Sequence, residues 1–245
     1  GDIYLLVTDS DAARAWVPFF PKESKIQYLA PSELVAERLL QYGITKEKIT
    51  LTGFPLPEEF TSKEGFLQTK EDLRRRLVRL DQKSKYRTKY ADVVRAYLGS
   101  VPRYHDGAVV ITFAVGGAGA QQALGKQIIQ YLAPLIKEGK VKLCMVAATH
   151  KDAAIGFSKT AIENGLSEKE VEVVFCKTKD EYFKRFTEVL RKTDILWTKP
   201  SELCFYAALG IPLLLSPPIG SQEVQNQKWL ARLGAAISQL RVEHA

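Results

Sequence analysis

Five residues with almost no side chains, Gly116-Gly117-Ala118-Gly119-Ala120, follow the apolar run 108–115 and lead into Gln121. Val109, Val110, Ile111, Phe113 and Val115 read as a buried strand, and Leu124, Ile128, Ile129 and Leu132 then recur at helical spacing. Small residues let a ligand approach the backbone, and the first N–H groups of a helix have no internal partner. Together with the positive end of the helix dipole, they make a seat for a phosphate. A tight packing corner has the same composition, so the reading needs a second corner aimed at the same anion. Ser201, opening a short helix behind Thr198-Lys199-Pro200, supplies one. Gln222, Glu223 and Asn226 lie at the start of a third helix, where carboxylates and amides can hydrogen-bond the hydroxyls of a sugar or ribose. A glutamate in a first helical turn is also explained by the dipole alone.

These residues need a scaffold, and the sequence alternates strand and helix to provide it. Strands are expected at 3–8, 26–30, 48–52, 108–115, 141–147, 171–175, 194–197 and 212–216. Helices are expected from Pro31-Ser32 to Gly43, over 121–138, 151–164 and 179–192, from Ser201 to Leu209, and over 222–233. Thr178 and Glu181 have capping-box spacing, and Gly210 with Pro212 stops the short helix. Near-continuously apolar strands in such alternation predict a Rossmann-like parallel sheet covered by helices on both faces, with ligands at the carboxyl ends of its strands. That edge holds 116–121, Thr149 and His150, Cys176 and Lys177, 198–202, and 218–226.

A chain of 245 residues with 46% apolar residues can form one or two domains with real cores, which excludes a disordered chain. Cys144, Cys176 and Cys204 are scattered, without metal-ligand spacing, and argue for a reducing compartment. No apolar run reaches bilayer length and no signal peptide is evident, so a cytoplasmic protein is expected. The net charge of +7 is concentrated: eleven basic and four acidic residues between Lys70 and Arg103 account for all of it. Two amphipathic helices with basic outer faces are expected there. They are either a solvated surface or a patch that meets anionic lipid headgroups; no motif for reading nucleic acid accompanies them.

Three stretches resemble GT-B-type glycosyltransferases, in particular the group containing the lipid-intermediate N-acetylglucosaminyltransferase of peptidoglycan synthesis and monogalactosyldiacylglycerol synthase. The first runs through Thr8-Asp9, Trp16, Pro31-Ser32, Gly43, Lys48-Ile49, Thr52-Gly53, Pro55 and Phe60. The second is the strand, glycine loop and helix start at 108–121. The third comprises Asp194-Ile195, Thr198-Lys199-Pro200, Gly210-Ile211-Pro212, Gly220-Ser221-Gln222-Glu223 with Asn226, and Gly234. The resemblance implies that residues 1–58 end an acceptor-type domain and that 59–245 form a nucleotide-sugar domain with a basic helical insertion at about 70–103. It places Gly117 and Gly119 beside a diphosphate that Ser201 meets from the other helix end, and it counts Gly116, Gln121 and Lys199 among the nucleotide-sugar-binding residues. Cys176 and Lys177 would meet uracil through backbone atoms, and Gln222, Glu223 and Asn226 would face sugar and ribose. Where that group carries a ribose-binding glutamate this chain has Phe205, with Glu202 one helical turn earlier as a substitute. The group's glycine-rich acceptor loop and catalytic base precede anything aligned with Ile3, so the chain is expected to be a fragment; Asp9, at the end of the first strand, is its weak candidate base.

The activity implied is transfer of a hexosyl unit from a UDP-sugar, as substrate, to a lipid or cell-envelope acceptor, with no cofactor and no metal. The alternatives are a non-catalytic protein of the same fold that binds a nucleotide or a partner, a UDP-sugar epimerase of similar architecture, and a polyanion-binding module resting on 70–103.

Overall fold

The computed structural model describes residues 3–104, 107–115 and 121–239, the side chains of 202–204 excepted. Two parallel sheets organise them. The first has strands β1 (Ile3–Leu6), β2 (Ile26–Ala30) and β3 (Ile49–Leu51) in that order, with helix α1 (Glu33–Gln41) packed over β2 and β3. Ser32 caps α1 by accepting from Val35 N–H, and Gly43 leaves the helix end at φ +91, a conformation that favours glycine. Val7, Tyr28, Val35 and Leu39 close the core of this unit.

The second sheet has six strands, all parallel, in the order β6-β5-β4-β7-β8-β9: β4 (Val109–Ala114), β5 (Val141–Ala148), β6 (Val171–Phe175), β7 (Ile195–Thr198), β8 (Leu213–Leu215) and β9 (Ala236–Ser238). Helices α6 (Gln122–Lys137), α7 (Lys151–Glu163), α8 (Lys179–Lys192) and α9 (Ser221–Arg232) alternate with them. Side chains along a strand point alternately to opposite faces, and here both faces are buried. Leu143, Met145 and Ala147 of β5 join Ile128, Phe157 and Trp197 on one side; Cys144 and Val146 join Phe186, Leu190 and Leu213 on the other. Strand β9 was not expected. Its three residues carry too short an alternation to read, and pairing with β8 (Leu213↔Ala236) is what makes them a strand.

The helix after β7 is a 3-10 helix, Glu202–Leu209, ended by Gly210 at φ +66. Ahead of the second sheet run α2 (Glu58–Thr61), α3 (Lys63–Leu80), α4 (Lys85–Lys89) and α5 (Ala91–Leu98). The expectation of basic outer faces fails for α3, whose arginines turn inward. Arg76, 2% exposed, donates to Thr193 O at 2.8 Å and Leu209 O at 3.0 Å, so one guanidinium caps the ends of both α8 and the 3-10 helix. Arg79 pairs with buried Asp194 at 3.1 Å, and Asp194 also accepts from Val110 N–H. Buried Asp72 takes Arg75 and Arg191, each at 3.0 Å. These bonds fix α3 to the sheet, because a planar guanidinium satisfies several helix-end carbonyls at once. The exposed part of the segment is α4 and α5, with Lys85, Tyr86, Lys89, Tyr90, Arg95 and Tyr97 outward.

Candidate functional site

Going outward from the middle of the six-stranded sheet, chain order runs β4, β5, β6 one way and β7, β8, β9 the other. The reversal between β4 and β7 is a topological switch point, where the connections leave to opposite faces and a crevice opens at the carboxyl ends. Gln121 enters α6 there, Thr198 ends β7, Ser201 precedes the 3-10 helix and Ser216 follows β8. Gln121 Nε2 donates to Ser216 Oγ at 2.7 Å, and Ser216 N–H donates to Thr198 O at 3.0 Å. Thr198 Oγ1, Ser201 Oγ and Gln121 Oε1 are buried without a hydrogen-bond partner among the described residues. Buried polar atoms are nearly always satisfied, and one left over costs about 1–3 kcal/mol. Three such atoms gather at this one switch point. Gly116, Gly117 and Gly119 lie outside the described residues, as does the side chain of Glu202.

Beside the crevice, Lys199 Nζ lies 2.6 Å from Glu223 Oε1, and Ile219 N–H donates to Glu223 Oε2 at 2.7 Å. Burial pushes the Glu223 carboxyl upward, but the Ile219 amide and the Lys199 ammonium outweigh it and hold it below the ordinary glutamate range. Gln222 is half-buried next to it, accepting from Ser221 Oγ. Asn226 departs from expectation. Its Oδ1 accepts from Ser10 N–H at 2.9 Å and Ser10 Oγ at 2.6 Å; its Nδ2 donates to Asp9 Oδ1 at 3.0 Å and Pro200 O at 3.1 Å. A fully buried carboxamide with four partners has nothing left for a sugar hydroxyl. It pins the first unit to the second, and in doing so holds Asp9 at the seam.

A cavity of about 460 Å³ adjoins this seam. Val115, Ala148 and His150 line it from the strand ends, Tyr182 and Phe186 from α8, and Thr8 and Pro55 from the first unit. Cys176 and Lys177 follow β6 at the same edge, but their amides are spent: Cys176 N–H on Ala148 O and Lys177 N–H on Glu181 Oε2, both at 2.8 Å. Only their carbonyls remain for a base. Phe205, in the place of the expected ribose carboxylate, stacks on Phe54 at 4.0 Å, and Phe54 also meets Trp229 at 5.0 Å. The connector between the units is thus clamped by aromatic rings.

Sequence reasoning passed over Gly125, one turn into α6. A Cβ there would lie 2.5 Å from Phe157 and 2.9 Å from Phe113, so glycine lets the helix lie close to the sheet behind the glycine loop. An isolated glycine inside a helical pattern was the signal available.

Residues 101–164 match the model of a Domain of unknown function (DUF6938). The chain is 23% identical over 234 residues to the Processive diacylglycerol beta-glucosyltransferase of Bacillus subtilis (strain 168), covering 95% of this chain and 49% of that protein. The Bacillus pumilus (strain SAFR-032) protein of the same description matches with the same identity and coverage. The chain therefore spans about half the length of the curated relatives it matches. Among solved structures it is similar to the S. aureus MnaA-UDP co-structure, at TM-score 0.47 and 16% identity over 89% of this chain and 49% of that one. It is also similar to the UDP-GlcNAc 2-epimerase from Methanocaldococcus jannaschii, at TM-score 0.46 and 16% identity over 97% and 59%. The chain has a Rossmann-like α/β architecture, a six-stranded parallel sheet covered by helices beside a three-stranded parallel sheet. Among the described residues no helix is long and apolar enough to cross a membrane.

Proposed function

We propose that the chain is the donor-binding part of a glycosyltransferase that takes a UDP-sugar and passes its hexosyl unit to a lipid or cell-envelope acceptor. The observation that carries the reading is the pair of buried hydroxyls of Thr198 and Ser201 at the β4/β7 switch point, neither with a hydrogen-bond partner among the described residues. Both can donate to phosphate oxygens, and the resemblance assigns Gly116, Gly117 and Gly119 to the same nucleotide-sugar site. Donors fixed before the reaction stabilise the charge that builds on a departing diphosphate, so the site is assigned no cofactor beyond its substrate. Gln121, Gln222 and Glu223 are the groups for sugar hydroxyls, with Lys199 balancing Glu223. The carbonyls of Cys176 and Lys177 face the base, and Asp9 at the seam is the candidate acceptor-side base.

UDP at millimolar concentration is expected to raise the melting temperature, and Ser201→Ala to abolish most of that shift. Thr198→Val separates binding from folding. It removes an unsatisfied hydroxyl, so the free protein becomes equally or more stable, by up to about 1 kcal/mol, while UDP affinity falls. No shift with UDP, or an unchanged shift in both variants, refutes the reading.

The interior stack of Phe205 on Phe54 favours one alternative, a protein of the same fold that binds a nucleotide or partner without transfer. Release of UDP from a UDP-sugar by the full-length protein excludes it. A cytoplasmic enzyme acting on a lipid acceptor must also reach a membrane. The outward lysines and tyrosines of α4 and α5 are the surface assigned to anionic headgroups, and co-sedimentation with phosphatidylglycerol vesicles that weakens with salt tests it.

A further inference from the structure

At the opposite, amino-terminal edge of the six-stranded sheet lies a second cavity, of about 340 Å³. Arg75 and Arg79 reach it from α3, Lys142 from β5, Lys169 from the turn before β6, and Arg185 and Lys192 from α8; Glu172 is the one carboxylate in its lining. The arginines are matched. Arg79 pairs with Asp194 at 3.1 Å, Arg75 with Asp72 at 3.0 Å, and Arg185 with Glu172 and Glu188, each at 2.6 Å. Lys142, Lys169 and Lys192 make no ion pair among the described residues, and all three are exposed. Three ammonium groups around one concavity repel one another and raise the local concentration of anions. Their carriers are well anchored: α3 and α8 are tied together through Asp72, and Arg75 also donates to Arg191 O at 2.6 Å. The floor, by contrast, is apolar, with Val110, Leu143 and Val189.

We propose that this cavity binds a ligand bearing phosphoryl groups, away from the β4/β7 crevice. The three lysines act as point charges that close on the phosphoryl oxygens, while the arginines, neutralised by their carboxylates, hold the wall behind them rigid. Such a ligand bridges α3, β5 and α8 and couples its own binding to the stability of the sheet. The same chemistry could be offered by a soluble phosphorylated molecule or by a lipid headgroup.

The test is a calorimetric titration of the whole chain with inorganic pyrophosphate in the presence of saturating UDP, repeated with Lys142→Ala, Lys169→Ala and Lys192→Ala combined. Because these lysines are exposed, the variant should keep the wild-type melting temperature and its UDP response. Saturable, salt-sensitive binding by the wild type, weakened about tenfold or more in the variant, is the expected result; tenfold corresponds to about 1.4 kcal/mol. No saturable binding by the wild type, or equal affinity in the variant, overturns the proposal. Vesicles containing phosphatidic acid form the second arm. Capture lost in the triple variant assigns the site to a headgroup, whereas unchanged capture beside lost pyrophosphate binding assigns it to a soluble ligand.

Discussion

Replacing Asn226 by alanine tests how the two units are joined. The substitution strands the fully buried Ser10 N–H, which loses its acceptor at 2.9 Å. That alone costs about 1–3 kcal/mol. Pro200 O and the Ser10 hydroxyl each lose one bond, worth about 0.5–1.5 kcal/mol, while half-exposed Asp9 can rehydrate. Neighbouring losses overlap, so the expected total is about 3 kcal/mol. Urea unfolding followed by tryptophan fluorescence reads it, since Trp16 reports on the first unit and Trp197 and Trp229 on the second. Asn226→Asp sharpens the test. It keeps the acceptor for Ser10 but sets a carboxylate against Asp9 and Pro200 O, and adding Asp9→Asn restores a donor across the seam. The double variant should recover about 1 kcal/mol or more relative to Asn226→Asp alone. A cost below about 1 kcal/mol for Asn226→Ala, or no recovery in the double variant, refutes the idea that this amide joins the units.

Three further outcomes follow from the same packing. Arg76→Lys cannot reach two helix ends with one ammonium, so it should lower stability by about 2–4 kcal/mol in thermal or urea unfolding. Gly125→Ala gains helix propensity of about 1 kcal/mol but pushes a methyl into Phe157 and Phe113; a net loss of about 1–2 kcal/mol is expected, and a stabilised variant would contradict the close approach of α6. The folded carboxyl of Glu223 is held below its unfolded value. Its contribution is therefore complete above the ordinary glutamate range and is lost as pH falls through the folded value, and Glu223→Gln should flatten that acid limb of the stability–pH curve.

Much of the second unit was legible because its determinants are local. Strand 171–175 and helix 179–192 stand where periodicity and the Thr178 cap put them, and the apolar strands declared a parallel sheet covered on both faces. The arginines of α3 were misread for the opposite reason. Helical spacing shows which residues share a face, but not that the carbonyl ends of α8 and the 3-10 helix, more than a hundred residues away, would meet Arg76.

The amino-acid order by itself determined the βα alternation, the caps at Ser32 and Thr178, and the edge of the sheet on which polar loops gather. Tertiary structure alone decided which of those loops share a crevice, because strand order, and hence the β4/β7 switch point, is set by long-range pairing. It also decided that Asn226 and Phe205 serve the joint between units. A side chain's partners depend on what is folded against it, and for these two residues those partners are Ser10 and Phe54, far off in the chain.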